Sequence, residues 1–258
     1  MNSGPYLSVR NLTISFANAK KSTVHDVSFA LDCGETLALV GESGSGKTLI
    51  ATSLMRLQPH VSISGKIVLD QQSILDLPYL ELISIRRRKV SYIFQEPGNS
   101  LNPSLTIGYQ LLEIAEGVNK KSHVLDMLRK VGFLNPKKIF RSYPHELSGG
   151  MQQRAVIAMA LVNSPKLLIA DEPTTSLDTI LQKQILDAMK NLQTELNFAI
   201  LLITHDFSLL QQVADRVCVL HDGKIVEGGI PDDIIFHPRH KYTKLLSESI
   251  LTLPITSR

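Results

Sequence analysis

The segment Gly41-Glu42-Ser43-Gly44-Ser45-Gly46-Lys47-Thr48 limits the fold of this chain more than any other stretch. It is an unbroken match to G-x-x-x-x-G-K-[ST], it follows the apolar run Thr36 to Val40, and a helix-period stretch opens at Lys47. Strand, glycine-rich turn and helix in that order form a cradle for phosphate oxygens. Glycines let backbone N–H groups converge without Cβ obstruction, and the helix N-terminus adds positive potential. On this reading Gly41 to Thr48 all face a phosphate chain, with Lys47 reaching the β- and γ-phosphates and the Thr48 hydroxyl placed to ligate Mg²⁺. The plain alternative, an ordinary glycine-rich turn, does not account for the strand before it and the helix after it.

Three more apolar runs, Val90 to Phe94, Leu167 to Ala170 and Phe198 to Ile203, each lead into a polar residue. Runs of this length read as strands covered on both faces, which implies a parallel sheet in an α/β fold. Leu7 to Phe16 and Val24 to Leu31 instead alternate apolar and polar residues, and predict an antiparallel layer. Between Glu96 and Pro165 the pattern is mostly helical, with candidate helices Thr106 to Gly117, Ser122 to Val131 and Gly150 to Val162, and Pro-containing turns at Pro136 and Pro144. The expected organisation is one α/β domain over residues 1–258, with a core of about 1–95 and 166–230, a helical subdomain of about 96–165 and a short tail of 231–258. The tail carries one more helical stretch, Tyr242 to Ile250.

Ligands of open parallel sheets sit beyond the carboxyl ends of the strands. The three further runs end at Gln95, at Asp171-Glu172 and at His205 after Thr204. Asp171 suits Mg²⁺, held through water, and Glu172 suits the general base that polarises an attacking water. Gln95 can reach the metal or the water, and His205 can bond the γ-phosphate and hold the water in line. Singly, Gln95 could merely end its strand and His205 could be a satisfied, partly buried histidine. A second anion site is written at Leu147-Ser148-Gly149-Gly150-Met151-Gln152-Gln153-Arg154, where a serine and two glycines open a helix. It has no role in a lone nucleotide site, so a second chain would have to bring it to a phosphate loop.

Composition narrows the class. The 258 residues are 43% hydrophobic and 20% charged, as in folded globular proteins. The net charge of +3 is too mild to imply a nucleic-acid partner, and the basic run Arg86-Arg87-Arg88-Lys89 reads as a solvated helix end. Cys33 and Cys218 sit in apolar sequence and read as buried small residues in a reducing compartment. The N-terminus is not expected to be a signal peptide, and no apolar stretch approaches the roughly 20 residues that span a bilayer.

Taken together, Gly41 to Thr48, Gln95, Leu147 to Arg154, Leu167 to Glu172, Ser176-Leu177-Asp178 and His205 resemble, in order and spacing, the motif set of ATP-binding cassette (ABC) proteins. The resemblance implies a P-loop NTPase fold with a RecA-like core, an antiparallel β layer and an inserted helical subdomain. It implies ATP and Mg²⁺, and a head-to-tail pair in which Ser148, Gly149 and Gly150 of one cassette face the phosphate loop of the other. Asp178 would work across that interface and Phe16 would stack on adenine, although an aromatic at a strand end also fits the core. Two stretches resemble peptide and nickel importers: Gln95 to Pro103, similar to Q-[DE]-P-x-x-S-L-N-P, and His237 to Thr243, similar to H-P-x-H-P-Y-T with Lys241 replacing a proline. The histidine pair reads as surface packing rather than a metal site. A tail that stops soon after this motif tilts the expectation toward the nickel or metal-chelate branch. Implied partners are a second, paralogous ATPase, two transmembrane permease subunits and an extracytoplasmic binding protein, with this chain peripheral on the cytoplasmic face of the inner membrane. Rival readings are a soluble non-transport ABC ATPase and a small-molecule kinase or regulatory P-loop module.

Overall fold

Alternation in the first thirty residues and unbroken apolar runs later produce two kinds of sheet. The computed structural model describes residues 4–17, 22–175 and 177–251. Its first elements are β1 (Leu7–Phe16), β2 (Val24–Leu31), β3 (Thr36–Val40), α1 (Lys47–Leu54), β4 (Val61–Leu69), β5 (Gln72–Ser73), α2 (Tyr79–Arg88) and β6 (Val90–Ile93). Helices follow: α3 (Pro97–Ser100), α4 (Ile107–Ile114), α5 (Lys120–Lys130), α6 (Pro136–Arg141) and α7 (Gly149–Leu161). The chain continues through β7 (Leu167–Asp171), α8 (Thr179–Leu196), β8 (Ala199–Thr204), α9 (Leu210–Val213), β9 (Arg216–His221), β10 (Lys224–Gly229), α10 (Pro231–Phe236) and α11 (Lys241–Leu251). These form two compact units, 1–82 with 201–258, and 83–200, and the chain passes from one to the other within α2 and back within β8.

In the first unit β1 pairs antiparallel with β2, from Leu7 opposite Leu31 to Ile14 opposite Val24, and with β4, from Leu7 opposite Leu69 to Phe16 opposite Val61. The alternation does its work here, since Leu12, Ile14, Val27, Leu31 and Ile67 are all buried. The other sheet of this unit runs β10-β9-β3-β8. Strand β3 is buried at every position and lies parallel to β9, from Leu37 opposite Arg216 to Val40 opposite Val219. A core of Ala38, Val40, Phe207, Leu210, Val219 and Ile234 packs beside it.

In the second unit β6 and β7 are parallel, from Val90 opposite Leu167 to Ile93 opposite Ala170. Helix α7 packs on α4, α5 and α8, and Arg154 ties it to two of them, donating to the Val131 carbonyl at 2.9 Å and to Gln184 Oε1 at 3.2 Å. The basic run ends α2 as a solvated turn, where Arg87 meets Glu116 at 2.9 Å with both side chains exposed.

Three expectations need correction. Pro136 and Pro144 do not make plain turns; they open α6 and a 3₁₀ turn at Pro144–Glu146. A proline fits the first helical position because the N–H it lacks would have no helical partner there. Helix α4 stops at Ile114, since Ala115 is already extended. Cys33 is exposed because it falls in the tight turn that links β2 to β3, closed by the Glu35 N–H on the Asp32 carbonyl. Cys218 is buried, and burial pushes its thiol up to about 11.

Helix α8 ends on Asn197 in the left-handed region, φ 51°, whose N–H returns to the Gln193 carbonyl. Asparagine tolerates this conformation, whereas a plain L side chain pays about 1–2 kcal/mol. Asn197→Ala is expected to lower unfolding stability by about 1 kcal/mol and Asn197→Gly to preserve it; urea denaturation of both variants is the check.

Candidate functional site

Strand β3 delivers the phosphate loop of the first unit against the β9–β10 turn. A Cβ on Gly41 would lie 2.1 Å from the Leu220 carbonyl oxygen, so only glycine allows this approach. Further along, the Ser45 carbonyl accepts the Gly223 N–H at 3.2 Å. Helix α1 starts from Gly46 at φ 107°, with no side chain capping its first turn. Its leading N–H groups therefore point toward whatever occupies the loop. Lys47 is 5% exposed and arches back over the loop, its ammonium donating to the carbonyls of Gly41 at 2.7 Å and Glu42 at 2.8 Å. The Ser45 hydroxyl is buried with no hydrogen-bond partner. An orphaned buried hydroxyl costs about 1–3 kcal/mol unless a ligand engages it, which fits a phosphate oxygen.

Around the loop, Glu42, Ser43, Gly44 and Thr48 are exposed. Phe16 is 45% exposed at the end of β1, open to a ligand rather than part of the core. His205 follows β8 on the surface, in a turn set by the Asp206 N–H on Thr204 Oγ1 at 3.0 Å and by Asp206 capping Ser208 N–H at 2.8 Å.

In the second unit the parallel pair β6–β7 aligns three candidate residues. Asp171 ends β7 at 4% exposure and accepts the Tyr92 hydroxyl at 2.9 Å. Burial, then the Asp171 charge and this bond, hold the Tyr92 phenol well above its ordinary value, so it stays a donor. Glu172 takes φ 47°, a left-handed conformation that costs a non-glycine residue about 1–2 kcal/mol. Its Oε2 receives the Gln95 amide at 3.0 Å and the Thr175 hydroxyl at 2.9 Å. The strained backbone and two donors fix where this carboxylate points. Ser148 caps α7, accepting the Met151 N–H at 3.4 Å. Gly149 is exposed and Gly150 lies against Leu181. Asp178 caps α8, accepting from Ile180 and Leu181 N–H at 3.1 and 2.9 Å. Ser176, residues 1–3 and the end of the tail, 252–258, lie outside the described residues.

Tyr92 and Thr175 were not singled out from sequence. A lone polar ring two residues before the end of an apolar strand is a weak signal for Tyr92, and Thr175 shows itself only once the turn after Glu172 is known. Among the described residues no cluster of three His, Cys, Asp or Glu could hold a metal. His240 is used locally, its Nδ1 accepting the Tyr242 N–H at 3.3 Å. Among the described residues no helix is long and apolar enough to cross a membrane. Tyr92→Phe removes one donor from a buried carboxylate and is expected to cost about 1.5–3 kcal/mol of stability, measured by denaturant unfolding.

A family profile described as ABC transporter matches residues 24–175. The chain is 46% identical over 256 residues to a peptidoglycan transport ATP-binding protein, YejF, of Agrobacterium fabrum, covering 95% of this chain and 47% of that one. It is 44% identical over 258 residues to the oligopeptide transport ATP-binding protein OppD of Bacillus subtilis, covering 96% and 72%. It is also 44% identical over 260 residues to the dipeptide transport ATP-binding protein DppD of the same organism, covering 96% and 78%. The chain thus spans about half the length of the first relative and about three quarters of the other two. A solved dimeric, post-hydrolysis state of the ATP-binding cassette MJ0796 with ADP and Pi superposes at TM-score 0.75 with 26% identity, over 87% of this chain and 98% of that one. For the fold alone, cbiO1 of Clostridium perfringens gives TM-score 0.81 at 24% identity, over 98% and 97%. With a P-loop α/β fold, a profile over more than half its length and relatives this similar over nearly all of it, the chain belongs to the ABC transporter family as one of its ATP-hydrolysing cassettes.

Proposed function

We propose that this chain is the ATPase subunit that energises an ABC importer of dipeptides or oligopeptides. The hydrolytic part rests above all on the Gln95–Glu172 hydrogen bond of 3.0 Å, which aims a carboxylate held in a left-handed backbone beside the buried Asp171. The cargo class rests on the relatives named for oligopeptide, dipeptide and peptidoglycan transport. These support peptides over the nickel or metal-chelate branch that the tail suggested.

Gly41 to Thr48 hold the phosphates through backbone N–H groups, the Ser45 hydroxyl and Lys47, and Phe16 offers a face to adenine. Magnesium, when bound, spreads negative charge away from the γ-phosphate; Thr48, Asp171 and Gln95 would hold it. Glu172 orients a water and takes its proton as the water oxygen bonds to the γ-phosphorus. The bond from that phosphorus to the bridging oxygen breaks, leaving ADP and phosphate. His205 holds the water and γ-phosphate in line. Catalysis here is mostly positioning and charge stabilisation.

Ser148, Gly149 and Gly150 begin α7 as a second anion site and serve the ATP of a partner cassette, with Asp178 working across the same interface. A head-to-tail pair results, its second member a paralogue. Residues 96 to 110, next to Gln95, pass the movement to two transmembrane permease subunits. That segment is pinned rather than loose: Gln110 accepts the Asn102 N–H at 2.9 Å and donates to the carbonyls of Asn102 at 3.0 Å and Leu105 at 2.9 Å. An extracytoplasmic binding protein and the permeases choose the cargo, and the cassette works at the cytoplasmic face of the inner membrane.

Glu172→Gln is expected to cut turnover by roughly 10²-fold or more while ATP still binds, and to trap an ATP-dependent pair seen by solution mass measurement. Near-normal hydrolysis in this variant would remove Glu172 as the base. In vesicles carrying the whole transporter, ATP-driven uptake of labelled nickel without peptide uptake would reverse the cargo assignment.

A further inference from the structure

Within the first unit the start of α11 is tied to the phosphate loop. Glu227 in β10 accepts the N–H groups of Arg239 at 2.8 Å and His240 at 3.0 Å, closing the turn that leads into α11. Burial pushes the Glu227 carboxyl up, but the Thr243 hydroxyl and these two amides outweigh it and hold the group below its ordinary value. Tyr242, the second residue of α11, is 6% exposed and packs into the core with Val40, Val219, Ile234 and Ile235. Its ring stacks on His221 with centroids 3.8 Å apart and 22° between the planes. His221 is the last residue of β9, just ahead of the Gly223 that bonds the Ser45 carbonyl. The Tyr242 oxygen accepts the Glu42 N–H at 2.8 Å, across 200 residues of sequence.

Glu42 is the second residue of the loop, where the chain leaves β3. An exposed, glycine-rich turn loses much conformational freedom when a ligand orders it, so any contact that orders it beforehand raises affinity. Lys47 holds the Glu42 carbonyl at 2.8 Å, and Tyr242 holds the N–H of the same residue. The peptide units on both sides of Glu42 are thus fixed, one by the loop's own lysine and one by the C-terminal helix. We propose that Tyr242 is a positioning residue for nucleotide binding, its hydroxyl fixing the first turn of the phosphate loop so that nucleotide affinity and the docking of α11 are coupled. This rests on the reading that Gly41 to Thr48 hold nucleotide phosphates. Burial, foremost, raises the phenol above its ordinary value, so the contact does not titrate near neutral pH. Because such coupling is reciprocal, nucleotide must stabilise α11 by the factor by which docked α11 tightens nucleotide.

Tyr242→Phe keeps the ring, its stacking and its burial, and removes only the hydroxyl, and with it the acceptor for the Glu42 N–H. In the full chain, titration with a fluorescent ATP analogue and magnesium is expected to show Kd raised about three- to ten-fold, the range for one neutral hydrogen bond. The turnover rate at saturating ATP should change less than about two-fold, because the lost contact is made to the ground state and the transition state alike. Hydrogen exchange of α11 amides should slow on adding ADP to the native chain, and that slowing should shrink in the variant. A purely structural role would instead speed exchange equally with and without ADP. Affinity within two-fold of native, or α11 exchange in the native chain indifferent to ADP, overturns the proposal; the second measurement needs no variant. Lys47→Ala separates the two levels. Binding lost in Lys47→Ala but unchanged in Tyr242→Phe sinks the coupling and keeps the nucleotide site, whereas a native chain that binds no nucleotide sinks both.

Discussion

A chain of phosphates carries too much charge to be held by one lysine, so this fold depends on the turn that leaves β3 and opens α1, whose glycine cap brings no side-chain acceptor to the helix start. That turn exists only because β3 is buried at all five positions and cannot shift, and because Gly41 lets the backbone pass the Leu220 carbonyl, where any Cβ would collide. The β9–β10 turn then bonds the Ser45 carbonyl through Gly223. Loop position, strand register and the start of α1 are thus one constraint. Displacing Leu220 or Gly223 would move the phosphate site as surely as changing Lys47, although neither side chain need touch a nucleotide.

The second unit prepares a carboxylate by another route. Asp171 and Glu172 are adjacent, yet one is buried under a tyrosine hydroxyl and the other is turned aside by a left-handed backbone. Were both extended, alternate residues of a strand would face opposite ways and the pair could not divide the work. The positive φ at Glu172 breaks that alternation, and the Gln95 and Thr175 donors to Oε2 offset its cost. Strain confined to one peptide and compensated by side-chain bonds is the pattern that clusters at functional sites.

What could be read from the sequence was what local chemistry fixes. β1, β2 and β3 begin and end where their alternation or apolar runs do, and Gly41 to Thr48 announce themselves by spacing. The residues at strand ends, Gln95, Asp171, Glu172 and His205, followed from the runs before them. Contacts that join distant parts of the chain left no such trace. Tyr92 reaches Asp171 across 79 residues and Tyr242 reaches Glu42 across 200, and a lone tyrosine looks the same in sequence whether its hydroxyl meets water or a buried backbone group. Cys33 misled for the opposite reason: its apolar neighbours suggested burial, but the turn it occupies decides exposure.

Helix starts differ in what they can hold, and the caps say which. At α1 the cap is glycine, which brings no side-chain acceptor to the helix start, and the positive end of the helix suits an anion. At α8 the Asp178 carboxylate already takes the N–H groups of Ile180 and Leu181. Its negative charge also repels phosphate, so Asp178 fits a contact with a partner's backbone or an ordered water better than with the nucleotide. Helix α7 lies between these cases. Its Ser148 cap is neutral and its bond to Met151 N–H is long at 3.4 Å, so the hydroxyl gives up little by turning to a γ-phosphate, while the Gly149 N–H adds a donor unobstructed by a Cβ. In the proposed head-to-tail pair, the glycine-capped start of α1 in one cassette and the lightly capped start of α7 in the other would each take part of the same phosphate chain.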